Sequence, residues 1–153
     1  MDTMTATRST VHRPRHITLP AGPAAAGEAR SQVRSAIAAW DVPADPSVAE
    51  LLTSELVTNA ISHQAGETIM LVLTCTWGQL RVDVHDTSWA MPELVDAPAD
   101  AESGRGLMLV ASLATDWGYY PTLAGKAVYF TLAFGPDPAP GVGGRLMPGD
   151  GEP

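Results

Sequence analysis

"SELVTNAISHQ", residues 54–64, sets Glu55, Asn59 and His63 at intervals of four among apolar residues. A spacing of four stacks side chains on one face of an α-helix. The stretch closes a longer run, "VPADPSVAELLTSELVTNAISHQ", in which Asp45 offers a helix cap and Pro46 suits the first helical position. That pattern predicts a helix from Pro46 to His63 that stops before Gly66. With Leu51 at zero and a step of about 100° per residue, Val48 falls near about 60°, Leu52 near about 100° and Leu56 near about 140°. Glu55, Asn59 and His63 come to about 40°, 80° and 120° by the same step. They are expected inside the stripe that faces the core, whereas Glu50, Thr53, Ser54 and Thr58 fall outside it. Burying an unpaired carboxylate costs on the order of several kcal/mol. No Lys or Arg stands between Ala36 and Arg81, so a local ion pair is not at hand. A bound metal, or a cleft opening onto the helix, would resolve the conflict. The plainer alternative is a stripe that ends in a wet helix edge. Glu55 and Asn59 together, ahead of a hairpin and a Gly-rich segment, favour the functional reading. His63 stays balanced, because a helix C-terminus also suits His.

The surrounding segments supply the rest of an architecture. "HITLP" alternates like a short first strand, and "GPAAAGEARSQVRSAIAAWDV" spaces Val33, Ile37 and Trp40 as a helix ending near Asp41. "TIMLVLTCTW" and "QLRVDVHD" read as two strands joined at Gly78 by a tight hairpin. "TSWAMPELVDAPADAESG" has two prolines, several acids and no clean period, and its length suggests a functional lid. "GRGLMLVASLATDWG" reads as a third helix and "YYPTLAGKAVYFTLAF" as a closing hairpin. The expected fold class is α+β: a two-layer α/β sandwich with a mixed, mostly antiparallel sheet covered on one face by about three helices.

Composition bounds what such a domain does. A chain of 153 residues with 45% hydrophobic and 17% charged residues suffices for one globular core. A net charge of -8 argues against a nucleic-acid footprint, which needs clustered positive charge, and fits a basic partner or a magnesium nucleotide better. The single cysteine, Cys75, excludes an internal disulfide and a Cys-based zinc cage, and its apolar neighbours make it a core thiol. No run reaches the roughly 18 apolar residues of a membrane span, and the N-terminus has no signal-peptide segment. A cytoplasmic location is expected. Residues 1–15 read as a disordered basic arm, 16–134 as the domain and 135–153 as a disordered Gly/Pro-rich tail.

"ELVTNAISH" resembles the N box of the Bergerat-fold ATP-binding superfamily, which includes gyrase, histidine kinases and MutL. It most resembles the anti-sigma factor serine kinase branch of that superfamily. Further pieces follow in the family's order: "VDVHDTS" is similar to the first glycine box, "ESGRGLMLV" to the second, and "GKAVYFTL" to the closing strand. The resemblance implies ATP and Mg2+ as ligands. It implies Glu55 as general base toward the attacking hydroxyl or water. It implies Asn59 as magnesium ligand, a neutral oxygen donor that suits a hard cation shared with phosphate oxygens. Asp86 resembles the acid that accepts the exocyclic amine of adenine, beside Ser88 where the family usually has Gly; a turn role for Asp86 is the alternative. Gly104, Gly106 and Leu107 match the second box, whose glycines let the backbone approach phosphate at a helix N-terminus. Arg105 is balanced between a phosphate contact and solvent, and His63 joins the nucleotide-side residues. Ala127 stands where the closing strand often has Thr, and the lid acids Asp96, Asp100 and Glu102 depart from a phosphate clamp.

Two functions compete. One is an ATP-dependent serine/threonine kinase of the anti-sigma regulatory type, which phosphorylates an anti-sigma antagonist and sequesters a sigma factor. The other is a non-catalytic, nucleotide-gated or nucleotide-free module that captures a regulator. Homodimerisation is compatible with either, and neither involves a membrane or direct contact with nucleic acid. Metal hydrolysis by His12, His16, His63 or His85 is a poor third, and Gly-x-Ser-x-Gly and Walker motifs are absent.

Overall fold

The computed structural model of the chain describes residues 12–63, 66–88 and 103–135, with the backbone alone described at 63 and 103–106. Of the expected arm (1–15), lid (87–104) and tail (135–153), residues 1–11, 89–102 and 136–153 lie outside the described residues; within the arm's described part, Arg15 already pairs with Leu73 in the first strand. The chain runs β1 (Arg15–Pro20), α1 (Ala25–Ala39), α2 (Pro46–His63), β2 (Thr68–Thr76), β3 (Gln79–Asp86), α3 (Ser103–Leu113), β4 (Asp116–Pro121) and β5 (Lys126–Ala133). The five strands form one sheet in the order β1-β2-β3-β5-β4. Each of the four strand pairings is antiparallel, so the sheet is antiparallel throughout the described residues rather than mixed.

Local chemistry accounts for the element ends. The Ser47 backbone N–H donates to Asp45 Oδ1 at 2.9 Å, which caps α2 with Pro46 at its first position, as the sequence suggests. Past the end of α1, Asp41 takes a left-handed φ of 57°, and the Asp41 and Val42 N–H groups donate back to Ala38 and Ile37. These two bonds make a Schellman closure that satisfies the last carbonyls of the helix. Trp77 and Gly78, with φ of 49° and 77°, form a two-residue loop between the paired Thr76 and Gln79. Positive φ at both positions is the primed turn that matches strand twist. At the other end of the chain, His12 N–H donates to the Cys75 carbonyl and its ring stacks on Trp40 at 5.4 Å.

One sheet face is apolar and carries the helices. Leu71, Leu73 and Cys75 of β2, Leu80, Val82 and Val84 of β3, and Val128, Phe130 and Leu132 of β5 are all buried and alternate with residues of the other face. α1 packs on β1 and β2, and α2 packs on β3 and β5 while touching both α1 and α3.

The orientation of α2 differs from the one its large aliphatic residues suggest. Ala49, Leu52, Thr53, Leu56, Val57 and Ala60 are buried, while Leu51 is 40% exposed. The buried arc is therefore centred near about 160° on the same wheel, not near about 80°. Thr53, expected outside the stripe, is inside it, and Glu55, expected within, stands at its half-buried margin. Small residues caused the difference: Ala49, Thr53 and Ala60 carry little weight in a hydrophobic pattern. The third helix also differs, because it starts at Ser103 and ends at Leu113, and Asp116, Trp117 and Gly118 belong to β4.

Candidate functional site

α2 has two flanks. On one, Arg30 Nη1 donates to Ser54 Oγ at 2.8 Å, and Arg34 makes a two-bond pair with Glu50 at 2.9 and 3.0 Å, both tying α2 to α1. The Arg34 hydrogen bond holds the Glu50 carboxyl below its ordinary range. Glu55 and Asn59 lie on the opposite flank, where α3 is the remaining helical neighbour of α2. Asn59 is buried at 8% exposure. Glu55, one turn earlier, is half-buried and makes no hydrogen bond or ion pair with any described residue. His63 is the last residue of the helix.

The second glycine box is placed on α3. Gly104, Arg105 and Gly106 occupy the first turn of the helix, as the reading of "GRGLMLV" expects. The first N–H groups of any helix lack partners within it and suit an anion. Leu107 is buried at 2% exposure in the core, so its side chain holds the helix on the sheet.

Asp86 ends β3 on the helix-covered face, continuing the alternation of Val82 and Val84. Opposite it in the β3–β5 register stands Lys126. Lys126 Nζ donates to Asp86 Oδ1 at 3.0 Å and to Oδ2 at 2.9 Å, with both side chains at 0% exposure. The Ser88 backbone N–H also donates to Asp86 Oδ1, at 2.8 Å, in an Asx-type turn. The Gly66 N–H donates to Thr87 Oγ1 at 3.1 Å, which ties the chain just after α2 to the end of β3. Gly125 lets the β4–β5 turn lie on Asp86 and Thr87, because a Cβ there would stand 2.7 Å from Thr87 Cα. This contact sets Lys126 across from its acid.

The structure thus places Glu55 and Asn59 on α2, which packs both on β3, with Asp86 and Ser88 at its end, and on α3, which begins with Gly104 and Gly106 in its first turn. Lys126 escaped the sequence reading. Its signal was a lone cation opening the otherwise apolar strand "KAVYFTLA", and it acquires meaning only from the strand register.

A second polar cluster lies on the reverse face. Arg81 donates from Nε and Nη2 to the Asp83 carboxylate at 2.8 and 2.9 Å, and Tyr120 O–H donates to Asp83 Oδ2 at 2.9 Å. Arg81 also lies 4.0 Å from the Tyr129 ring centroid. Burial, reinforced by Asp83, pushes the Tyr120 phenol up to about 12. Burial lowers the pKa of His85 on the same face. Strand alternation separates this cluster from Asp86.

The donor set fits part of a magnesium nucleotide. No described group of three or more His, Cys, Asp or Glu residues is arranged to hold a metal, so an all-protein cage is absent among the described residues. A magnesium ion held largely by phosphate oxygens needs only one or two protein ligands, and the Asn59 amide oxygen has the right chemistry. The base end does not fit in the same way, because both Asp86 oxygens already accept hydrogen bonds.

A five-stranded antiparallel sheet with three helices on one face, an Asn and Glu pair on the long helix and an acid ending a central strand define the Bergerat-type ATP-binding class. The chain belongs to the histidine kinase-like ATPase domain family, whose model matches residues 19–132. Membership makes it an ATP-binding type of domain. A crystal structure of the RsbU and RsbW domains of Rv1364c from Mycobacterium tuberculosis is similar in fold, with a TM-score of 0.59 and 22% sequence identity. The match covers 80% of this chain and 32% of that one, so this chain spans about a third of its length. No curated protein matches the sequence. Among the described residues, no helix is long and apolar enough to cross a membrane.

Proposed function

We propose that the chain is a regulatory serine/threonine kinase of the anti-sigma type, acting on an anti-sigma antagonist with Mg-ATP. The observation that carries this reading is the pairing of Glu55 and Asn59 on the flank of α2 turned away from α1, with Glu55 half-buried and without a polar partner among the described residues. A carboxylate in that position is available to receive a proton, whereas the neighbouring Glu50 is committed to Arg34. Bound Mg-ATP would supply the phosphoryl group, the bond from its γ-phosphorus to the bridging oxygen breaking to leave ADP as the partner's serine oxygen bonds to phosphorus. Glu55 would take the proton of the partner's serine hydroxyl as that oxygen attacks, and Asn59 would offer its amide oxygen toward the metal. The backbone N–H groups at the start of α3 would hold the phosphates.

Purified chain with magnesium and γ-labelled ATP is expected to label an anti-sigma antagonist, and Glu55→Gln to abolish the transfer while leaving the fold intact. Transfer that survives Glu55→Gln removes Glu55 as the base.

A second reading, a non-catalytic module that captures a regulator, is favoured by the Asp86–Lys126 pair, which occupies the acid assigned to adenine. Binding of ATP and of a regulator without phosphate transfer would support it over the kinase.

A further inference from the structure

We propose that Lys126 takes the place of the ligand's amino group as donor to Asp86, so that the base end of the nucleotide site does not read the purine 6-substituent. The inference rests on the ATP-binding reading and concerns its specificity.

An ionised carboxylate offers about four lone-pair positions. Asp86 fills three: Oδ1 accepts from Lys126 Nζ at 3.0 Å and from Ser88 N–H at 2.8 Å, and Oδ2 accepts from Lys126 Nζ at 2.9 Å. The fourth is out of reach, because the Asp86 and Lys126 side chains are both 0% exposed. An exocyclic amine could bond to Asp86 only by displacing Lys126. That displacement leaves a buried ammonium without its counter-charge, which is strongly unfavourable. The arrangement is also fixed on both sides. The register sets Lys126 opposite Asp86, and Gly125 presses the preceding turn onto the Asp86 and Thr87 backbone. An alternative donor is therefore built into the chain where the ligand's would arrive. Nucleoside triphosphates with an amino or an oxo group at position 6 should bind alike, held by contacts at the phosphate end.

Two measurements on the full chain decide this. The first compares Mg-ATP with Mg-ITP, its 6-oxo analogue, by calorimetry. Dissociation constants within about threefold of each other are expected, since a carboxylate accepting the amine would favour ATP by about tenfold or more. An ATP preference above about tenfold that disappears in Asp86→Asn overturns the inference. The second is a thermal-unfolding cycle of Lys126→Met, Asp86→Asn and the double variant. Each single variant should melt below the wild type, and the double variant should melt above the sum of the two losses. Additive losses overturn the inference. If neither triphosphate binds, the ATP-binding reading fails, and the unfolding cycle still decides whether Lys126 satisfies Asp86.

Discussion

Gly125 packs backbone to backbone on Asp86: a Cβ at Gly125 would collide with the Asp86 carbonyl oxygen and stand 2.7 and 2.8 Å from Thr87 Cα and C. Backbone atoms cannot swing aside as a side-chain tip can. Gly125→Ala is expected to destabilise the fold by about 1–3 kcal/mol, the cost of forcing extra volume into a packed site. At Gly118 the neighbour is the Tyr129 side chain, whose hydroxyl lies 2.7 Å from such a Cβ. A ring can shift, so Gly118→Ala should cost less than Gly125→Ala. Denaturant unfolding of the two variants checks the order.

The Asp45 cap makes a separate prediction about α2. Removing its hydrogen bond to the Ser47 N–H exposes an orphan donor at the helix start. Asp45→Ala should lower stability by about 1 kcal/mol, and Asp45→Ser should restore most of it. Both are read by the same unfolding transition.

The reverse face of the sheet sets the pH dependence. Tyr120 is raised from 10.0 to about 12 in the folded chain by burial, with Asp83 beside it. Between those values the unfolded chain binds fewer protons, so stability is complete below pH 10 and falls as pH rises toward about 12. His85 is shifted the other way, below 6.5, again by burial. There the unfolded chain binds more protons, so stability rises with pH up to about 6.5 and declines below it. Tyr120→Phe should flatten the alkaline decline and His85→Gln the acid one, measured as melting temperature against pH.

Cys75 is buried at 1% exposure and its thiol pKa is pushed up by burial. A disulfide reagent at neutral pH should leave the native chain unlabelled and react with one thiol per chain once denaturant is added. Rapid native labelling would contradict the placement of β2 in the core.

Much of this was legible in the chain. Asp45 before Pro46, the Trp77–Gly78 turn and the alternation of β2 and β3 state their roles locally, so the element order and the one-sided sheet followed from them. The rotation of α2 did not, because Ala49, Thr53 and Ala60 pack by being small, and hydrophobic weight misses that. Glu55 and Asn59 share a flank, as their spacing required, but that flank is the margin of the buried arc and not its centre. Lys126 was silent because an ion pair 40 residues apart depends on strand register, which no local pattern reveals. The start of the third helix at the Gly104–Gly106 box was legible, but its end was not, because "ATDWG" carries no stop signal ahead of β4.

The central claim is that α2, the end of β3 and the start of α3 form one nucleotide site. Calorimetric titration of the full chain with Mg-ATP tests it most directly. Saturable binding of one ATP per chain is expected, weakened by about tenfold or more in Asn59→Ala, where a ligand to the phosphate-bound metal is lost. A folded wild-type chain that gives no saturable binding of ATP with magnesium present contradicts the account.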